Sequence, residues 1–178
     1  LLLDSSRNVN TYNQTGGAFA IVSGQSLVMN TSGSLAGGGV MNLGYSYIYQ
    51  NAANVVFTVT NGTSQGFGEV GYNGMSTTVQ ENGIVSANSS GNTLQVNGGA
   101  PFTNNDILRA TGGGTLRRAN DGSGTGTIRS EQDSNVSIET RLTGRTLNNT
   151  GSTGTRNPSN GTLRTCPIDN GSTVPNVT

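Results

Sequence analysis

Between Gly44 and Thr60 the chain reads Gly-Tyr-Ser-Tyr-Ile-Tyr-Gln-Asn-Ala-Ala-Asn-Val-Val-Phe-Thr-Val-Thr. Tyr45, Tyr47 and Tyr49 alternate with Ser46 and Ile48. Beyond a five-residue break, Val55, Phe57 and Val59 alternate with Val56, Thr58 and Thr60. A period of two is the strand period, and two such runs around a short connection predict an antiparallel hairpin. No other stretch is as rich in β-forming residues. Helix signals are nearly absent, because Gly or β-branched residues interrupt every candidate amphipathic window.

Turn signals punctuate the remainder. Asn-Gly occurs at 61–62, 73–74, 82–83, 97–98, 160–161 and 170–171. The pair accepts positive φ at both central positions of a tight hairpin turn. Thr77 to Glu81 and Ile84 to Ala87, on either side of Asn82-Gly83, therefore predict a second hairpin. Short strands every eight to twelve residues predict an antiparallel β-sandwich or jelly-roll-like domain. An irregular β-solenoid is the alternative. No fixed period of 20 to 30 residues runs through the chain to favour it. One string does recur: Gly114-Thr115-Leu116-Arg117 returns as Gly161-Thr162-Leu163-Arg164.

The chain is lopsided. All nine aromatic residues lie at or before Phe102, whereas 14 of the 18 charged residues lie at or after Asp106. This divides residues 1–104, a β-sandwich core with an N-terminal strand, from residues 105–178. The second part is Gly/Ser/Thr/Asn-rich and poor in apolar anchors. It is expected to be an extended arm that gains its burial on neighbouring subunits.

Composition narrows the function. All nine basic residues are Arg, so Lys is absent, and so are His and Trp. Without Lys no isopeptide crosslink joins subunits. Without His there is no ordinary general base near neutral pH and no imidazole metal ligand. Without Trp the commonest sugar-stacking ring is missing. Gly, Asn, Ser and Thr make up more than half of the sequence and charged residues only 10 %. Such a surface of hydroxyls and amides is typical of secreted and surface-displayed β proteins. No apolar run approaches the 18 residues of a membrane-spanning helix. Cys166 is the single cysteine, so no intrachain disulfide forms. The opening Leu1-Leu2-Leu3 without Met is what a processed or trimmed N-terminus would leave.

Several residues are candidates for contact or modification. Asn-x-Ser/Thr sequons begin at Asn13, Asn30, Asn61, Asn88, Asn135, Asn148, Asn160, Asn170 and Asn176, as a glycosylated surface protein would have. Ala18, Phe19, Ala20, Ile21 and Val22 form an apolar run suited to a donor strand that completes a neighbour's sheet. Tyr45, Tyr47 and Tyr49, with Arg117 and Arg118, are candidates for a subunit interface. The loop Asn120 to Thr127 lacks the six to eight oxygens of a calcium site. No catalytic, metal-binding or cofactor-binding residue is assigned and no cofactor is expected.

These features predict a non-enzymatic structural subunit of an extracellular surface filament, pilus or fibre, assembled without covalent staples by strand addition and arm exchange. Its partner is chiefly itself. Nucleic acid is not expected, because the Arg residues are too sparse, and neither is membrane insertion. The alternatives are a virion structural protein, or a monomeric surface adhesin or glycan-binding domain.

Overall fold

The computed structural model describes residues 1–96, 102–119, 122–131 and 133–138, together with strand segments at 142–143, 146–149, 156–157, 163–164 and 168–170. The chain coils. It enters with β1 (Leu2–Leu3), β2 (Arg7–Val9) and β3 (Asn13–Gln14), then β4 (Ala18–Ile21), β5 (Ser26–Met29) and β6 (Gly33–Leu35). In the next two turns the first two strands fuse: β7 (Val40–Gln50) precedes β8 (Val56–Thr60), and β9 (Thr63–Tyr72) precedes β10 (Ser76–Gln80). Three-strand turns then resume with β11 (Ile84–Ala87), β12 (Thr93–Val96) and β13 (Phe102–Asn104). They continue with β14 (Ile107–Ala110), β15 (Thr115–Arg118) and β16 (Gly122–Ser123), then β17 (Thr127–Ser130), β18 (Asn135–Ile138) and β19 (Leu142–Thr143). The same pairings extend to β20 (Thr146–Asn149), β21 (Arg156–Asn157), β22 (Leu163–Arg164) and β23 (Ile168–Asn170).

Every strand pair among the described residues is parallel, and each strand pairs with those one turn before and after it. The fold is a three-faced β-solenoid, not an antiparallel sandwich or jelly roll. The irregular β-solenoid is the reading that fits. The stack climbs about six turns from Leu3 to Ser130. Two faces share one 15-stranded sheet, because β7 and β9 run without a break around the corner between them; the third face is an 8-stranded sheet.

Both predicted hairpins dissolve in this topology. β7 pairs with β4, β5 and β9, while β8 pairs with β6 and β10 in the other sheet. Likewise β10 and β11 lie in different sheets. The Asn-Gly cue specifies φ and not a strand partner. Asn61 (φ 45°) and the pair Glu81 (φ 50°) and Asn82 (φ 64°) do turn the chain with positive φ. They turn it from one face onto the next, and the corners then stack: Gly38 N donates to Asn61 O at 2.5 Å and Asn61 N to Glu81 O at 2.8 Å. A local turn signal cannot distinguish a reversal from a corner. The repeat was hidden because its length drifts. Leu2 pairs with Ala20, 18 residues on, whereas Gly68 pairs with Leu94, 26 residues on. The repeated Gly-Thr-Leu-Arg string is no repeat unit, since Leu116 lies in β15 of the larger sheet and Leu163 in β22 of the smaller.

Period-two patterning still sets what is inside. In β8, β10, β14, β15, β17 and β18 every second residue is buried. Stacking turns these positions into columns. One runs Phe19, Met41, Ser64, Val85, Leu108 and Ile128; another runs Leu35, Val59, Val79 and Asn104. A single apolar cluster extends from Leu3 to Ile138. Residues 107–138 thus stack on preceding turns of their own chain: β14 on β11 and β15 on β12. A turn that cannot bury its face alone is completed by its neighbours.

Amides stack too. Asn30 Nδ2 donates to Asn10 Oδ1, and Asn51 Nδ2 to Asn30 Oδ1, each at 3.3 Å. Asn30 sits between two partners, so Asn30→Ala removes both bonds. It is expected to cost about 1 kcal/mol, lowering Tm by about 2–4 °C in thermal unfolding. An unchanged Tm would dismiss the ladder as a stabilising element.

Tyr12 reports on core burial near the start of the stack. Its ring lies against Phe19 (centroids 5.6 Å) and Phe57 (6.5 Å), and its hydroxyl donates to Gln14 Oε1. Burial pushes the phenol above its ordinary value. A phenol that holds its proton more tightly when folded favours unfolding once the unfolded chain ionises. Stability should therefore fall as pH rises above about 10. With no His in the chain, no side chain has an ordinary pKa between about 5 and 8. The urea midpoint should be level from about pH 6 to about pH 8, and Tyr12→Phe should make the alkaline fall shallower. A transition near neutral pH would contradict this.

Candidate contact face

The Gly44–Thr60 stretch meets the Gly66–Tyr72 stretch one turn on. In β7 the corner between the first two faces is made by Gly44, Tyr45 and Ser46, where the register with β9 shifts. Tyr45 takes φ 59°, and Ser46 turns inward to donate its hydroxyl to Ile21 O at 2.7 Å. In β9 the corner is Gly66-Phe67-Gly68, with φ of 117° and 124° at the glycines. Tyr45 and Phe67 are thereby thrown outward together, ring centroids 6.2 Å apart.

Beyond the corner the strand period takes over. Ser46 and Ile48 are buried, while Tyr47 and Tyr49 are half-exposed on the outside. A second register shift, between Ile48 and Tyr49, brings Tyr72 opposite Tyr49. Centroids lie 6.1 Å apart for Tyr45–Tyr47, 6.2 Å for Tyr47–Tyr72 and 5.8 Å for Tyr49–Tyr72. The five rings form one chain across the width of the face. Its members tilt or meet edge to face, the arrangement aromatic quadrupoles favour. Tyr45 and Tyr72 are 54 % and 49 % exposed.

A polar ladder borders the rings. Tyr47 pairs in register with Glu69, Glu69 with Gln95, and Gln95 with Arg117. Gln95 Nε2 donates to Glu69 Oε1 at 3.2 Å, and Arg117 Nη1 donates to Gln95 Oε1 at 2.6 Å. Hydrogen bonding with Tyr45, then burial, then the charges of Tyr45 and Glu69 push the Tyr47 phenol above its ordinary value. On the neighbouring face Gln65 Nε2 donates to Asn42 Oδ1 at 2.8 Å.

Of the candidate interface residues, Tyr45, Tyr47, Tyr49 and Arg117 share this face. Arg118 does not: it points inward and is 1 % exposed, its guanidinium 5.3 Å above the Phe102 ring. Phe67, Glu69, Tyr72 and Gln95 join the face from one or two turns away. Their signal was the Gly66-Phe67-Gly68 pattern, but only the register links it to Tyr45.

No protein-family model, characterised protein or solved structure matches the chain.

The other candidates scatter. Ala18–Ile21 is β4, engaged along one edge by β1 and along the other by β7, and Val22 N donates to Leu3 O at 3.1 Å. Among the sequons, Asn13, Asn61 and Asn88 are exposed, and Asn30 and Asn135 are half-buried. Asn13 accepts from Ser34 N at 3.2 Å, and the Asn30 amide is held in its ladder. Asn148 and Asn170 fall in β20 and β23; Asn160, Asn176 and Cys166 lie outside the described residues. Among the described residues no three of His, Cys, Asp and Glu cluster to hold a metal, and no helix is long and apolar enough to cross a membrane.

Proposed function

We propose that the chain is a structural, non-catalytic segment of an extracellular surface filament or fibre. The observation that carries this reading is the in-register parallel stack, in which every turn is hydrogen-bonded to the next along all three faces. Such a stack gains length by adding turns, not by enlarging a core. Its outer surface fits an exposed setting. Along the third face the outward column is Ser34, Thr58, Thr78, Thr103 and Ser123, hydroxyls with no charge among them. Immunogold labelling of intact, unpermeabilised producing cells tests it. Label along surface appendages is expected; label confined to the cell interior would overturn the proposal.

A second reading, a surface adhesin, is favoured by one observation. Among the described residues Tyr45 and Tyr72 are the exposed large apolar side chains beyond Leu1 and Leu2 at the start of the stack, and exposed apolar area marks contact sites.

A further inference from the structure

We infer that the five-ring strip is a binding site for a neutral oligosaccharide. The inference rests on the adhesive reading and adds the class of ligand. Three observations choose it.

The strip is small. From Tyr45 to Tyr49 it runs about 13 Å, at about 3.3 Å per residue, and it covers two turns about 5 Å apart. That footprint, on the order of 150 Å² with ring overhang, is far below the roughly 800 Å² each partner contributes to a stable protein interface. A few sugar rings match it; a second copy of the chain does not.

Its surroundings are polar. Among the described residues the exposed large apolar side chains besides Tyr45 and Tyr72 are Leu1 and Leu2, which belong to the start of the stack. A lipid surface would find no aliphatic border here. A pyranose needs none: its C–H face lies on an aromatic ring while its hydroxyls reach side-chain amides and phenols. Tyrosine supplies a rigid ring and a hydrogen-bonding tip together.

Its charge is balanced. Glu69 and Arg117, of opposite sign, are joined through Gln95, so this ladder carries no net charge to draw an acidic sugar.

The chain supplies its own reporter. It has no Trp, and four of its five tyrosines are in the strip, so tyrosine fluorescence reads the site almost alone. The full chain should be titrated with cellohexaose, maltohexaose, chitohexaose and mannohexaose, and in parallel with heparin and phosphatidylcholine vesicles. Saturable quenching by at least one neutral hexasaccharide is expected, unchanged between about 0.05 M and about 0.5 M NaCl. Tyr45→Ala and Tyr72→Ala should each weaken it about tenfold or more while circular dichroism stays that of the parent. Both positions are exposed, so the fold should survive. Failure of all four sugars to bind would overturn the inference. So would binding only to heparin with loss at high salt, binding only to vesicles, or a dimer in sedimentation that Tyr72→Ala dissolves. Surface labelling is a separate measurement, so the location and the ligand can fail independently.

Discussion

Gly66→Ala and Gly68→Ala are each expected to cost about 3 kcal/mol or more in urea unfolding. Gly66 has φ 117°, and a Cβ there would lie 2.0 Å from Leu43 O and 2.9 Å from Leu43 C. At Gly68, φ 124°, it would lie 2.1 Å from Ser46 O and 2.5 Å from Ser46 N. Both obstacles are backbone of the adjacent strand, which the parallel ladder holds about 4.8 Å away, so neither can step aside as a side chain would. The φ values lie beyond the left-handed region that Ala enters, and strain of that kind costs about 1–3 kcal/mol by itself. Relief requires opening the pairing of Leu43 with Gly66 and of Ser46 with Gly68. Gly24 is the control. Its φ is also positive, at 78°, but a Cβ would meet nothing within 4 Å, so Gly24→Ala should cost only about 1 kcal/mol. Equal losses at Gly24 and Gly66 would disprove the close approach of the two strands. Because these glycines set Phe67 beside Tyr45, the two variants should also change tyrosine fluorescence.

Arg118→Ala should cost about 3–5 kcal/mol, and Arg117→Ala less than about 1 kcal/mol. The two are neighbours on β15 with opposite fates. Arg118 occupies an inward column between Val96 and Ile138. The interior is shaped around its guanidinium: a Cβ on Gly122 would lie 1.8 Å from Arg118 Nη2 and 2.4 Å from Phe102 O. Truncation leaves a large void and strips a buried charge from the groups arranged around it, the two costliest changes in a core. Arg118→Lys should recover only part of the loss, because a compact ammonium does not fill the space of the planar guanidinium that lies 5.3 Å over the Phe102 ring centroid. Arg117 is half-exposed on the outer surface, where solvent can replace the partner it loses at Gln95. Similar urea midpoints for Arg117→Ala and Arg118→Ala would refute the inward placement.

That pair marks where sequence patterning stopped working. In Thr115-Leu116-Arg117-Arg118 the period puts Leu116 inward and therefore Arg118 inward as well. A charge at an inward position contradicts binary patterning, so the pattern reads as ending one residue early. The interior takes the charge because Phe102 and Gly122, from the third face, build a slot for it. Those contacts are 16 and 4 residues away in the chain, and nothing local announces them.

The aromatic face was half legible for a related reason. The alternation of Tyr45, Tyr47 and Tyr49 with Ser46 and Ile48 is written into 44–50 and survives in β7. That Tyr72 and Phe67 complete the strip depends on the β7–β9 register and its two shifts. Those shifts arise at positive-φ corners whose effect is geometric.

By itself the sequence determined that the fold is all-β, which residues of its clearest strands alternate in and out, and where several of its turns fall, because period, propensity and positive-φ residues act over a few neighbours. Tertiary structure alone decided that the turns are corners and not reversals, so that strands meet in parallel partners one coil away. Turns of drifting length stay in register because each strand follows the hydrogen-bonding edge of the one before it. Corner loops absorb the extra residues, so no fixed period has to be written in the chain.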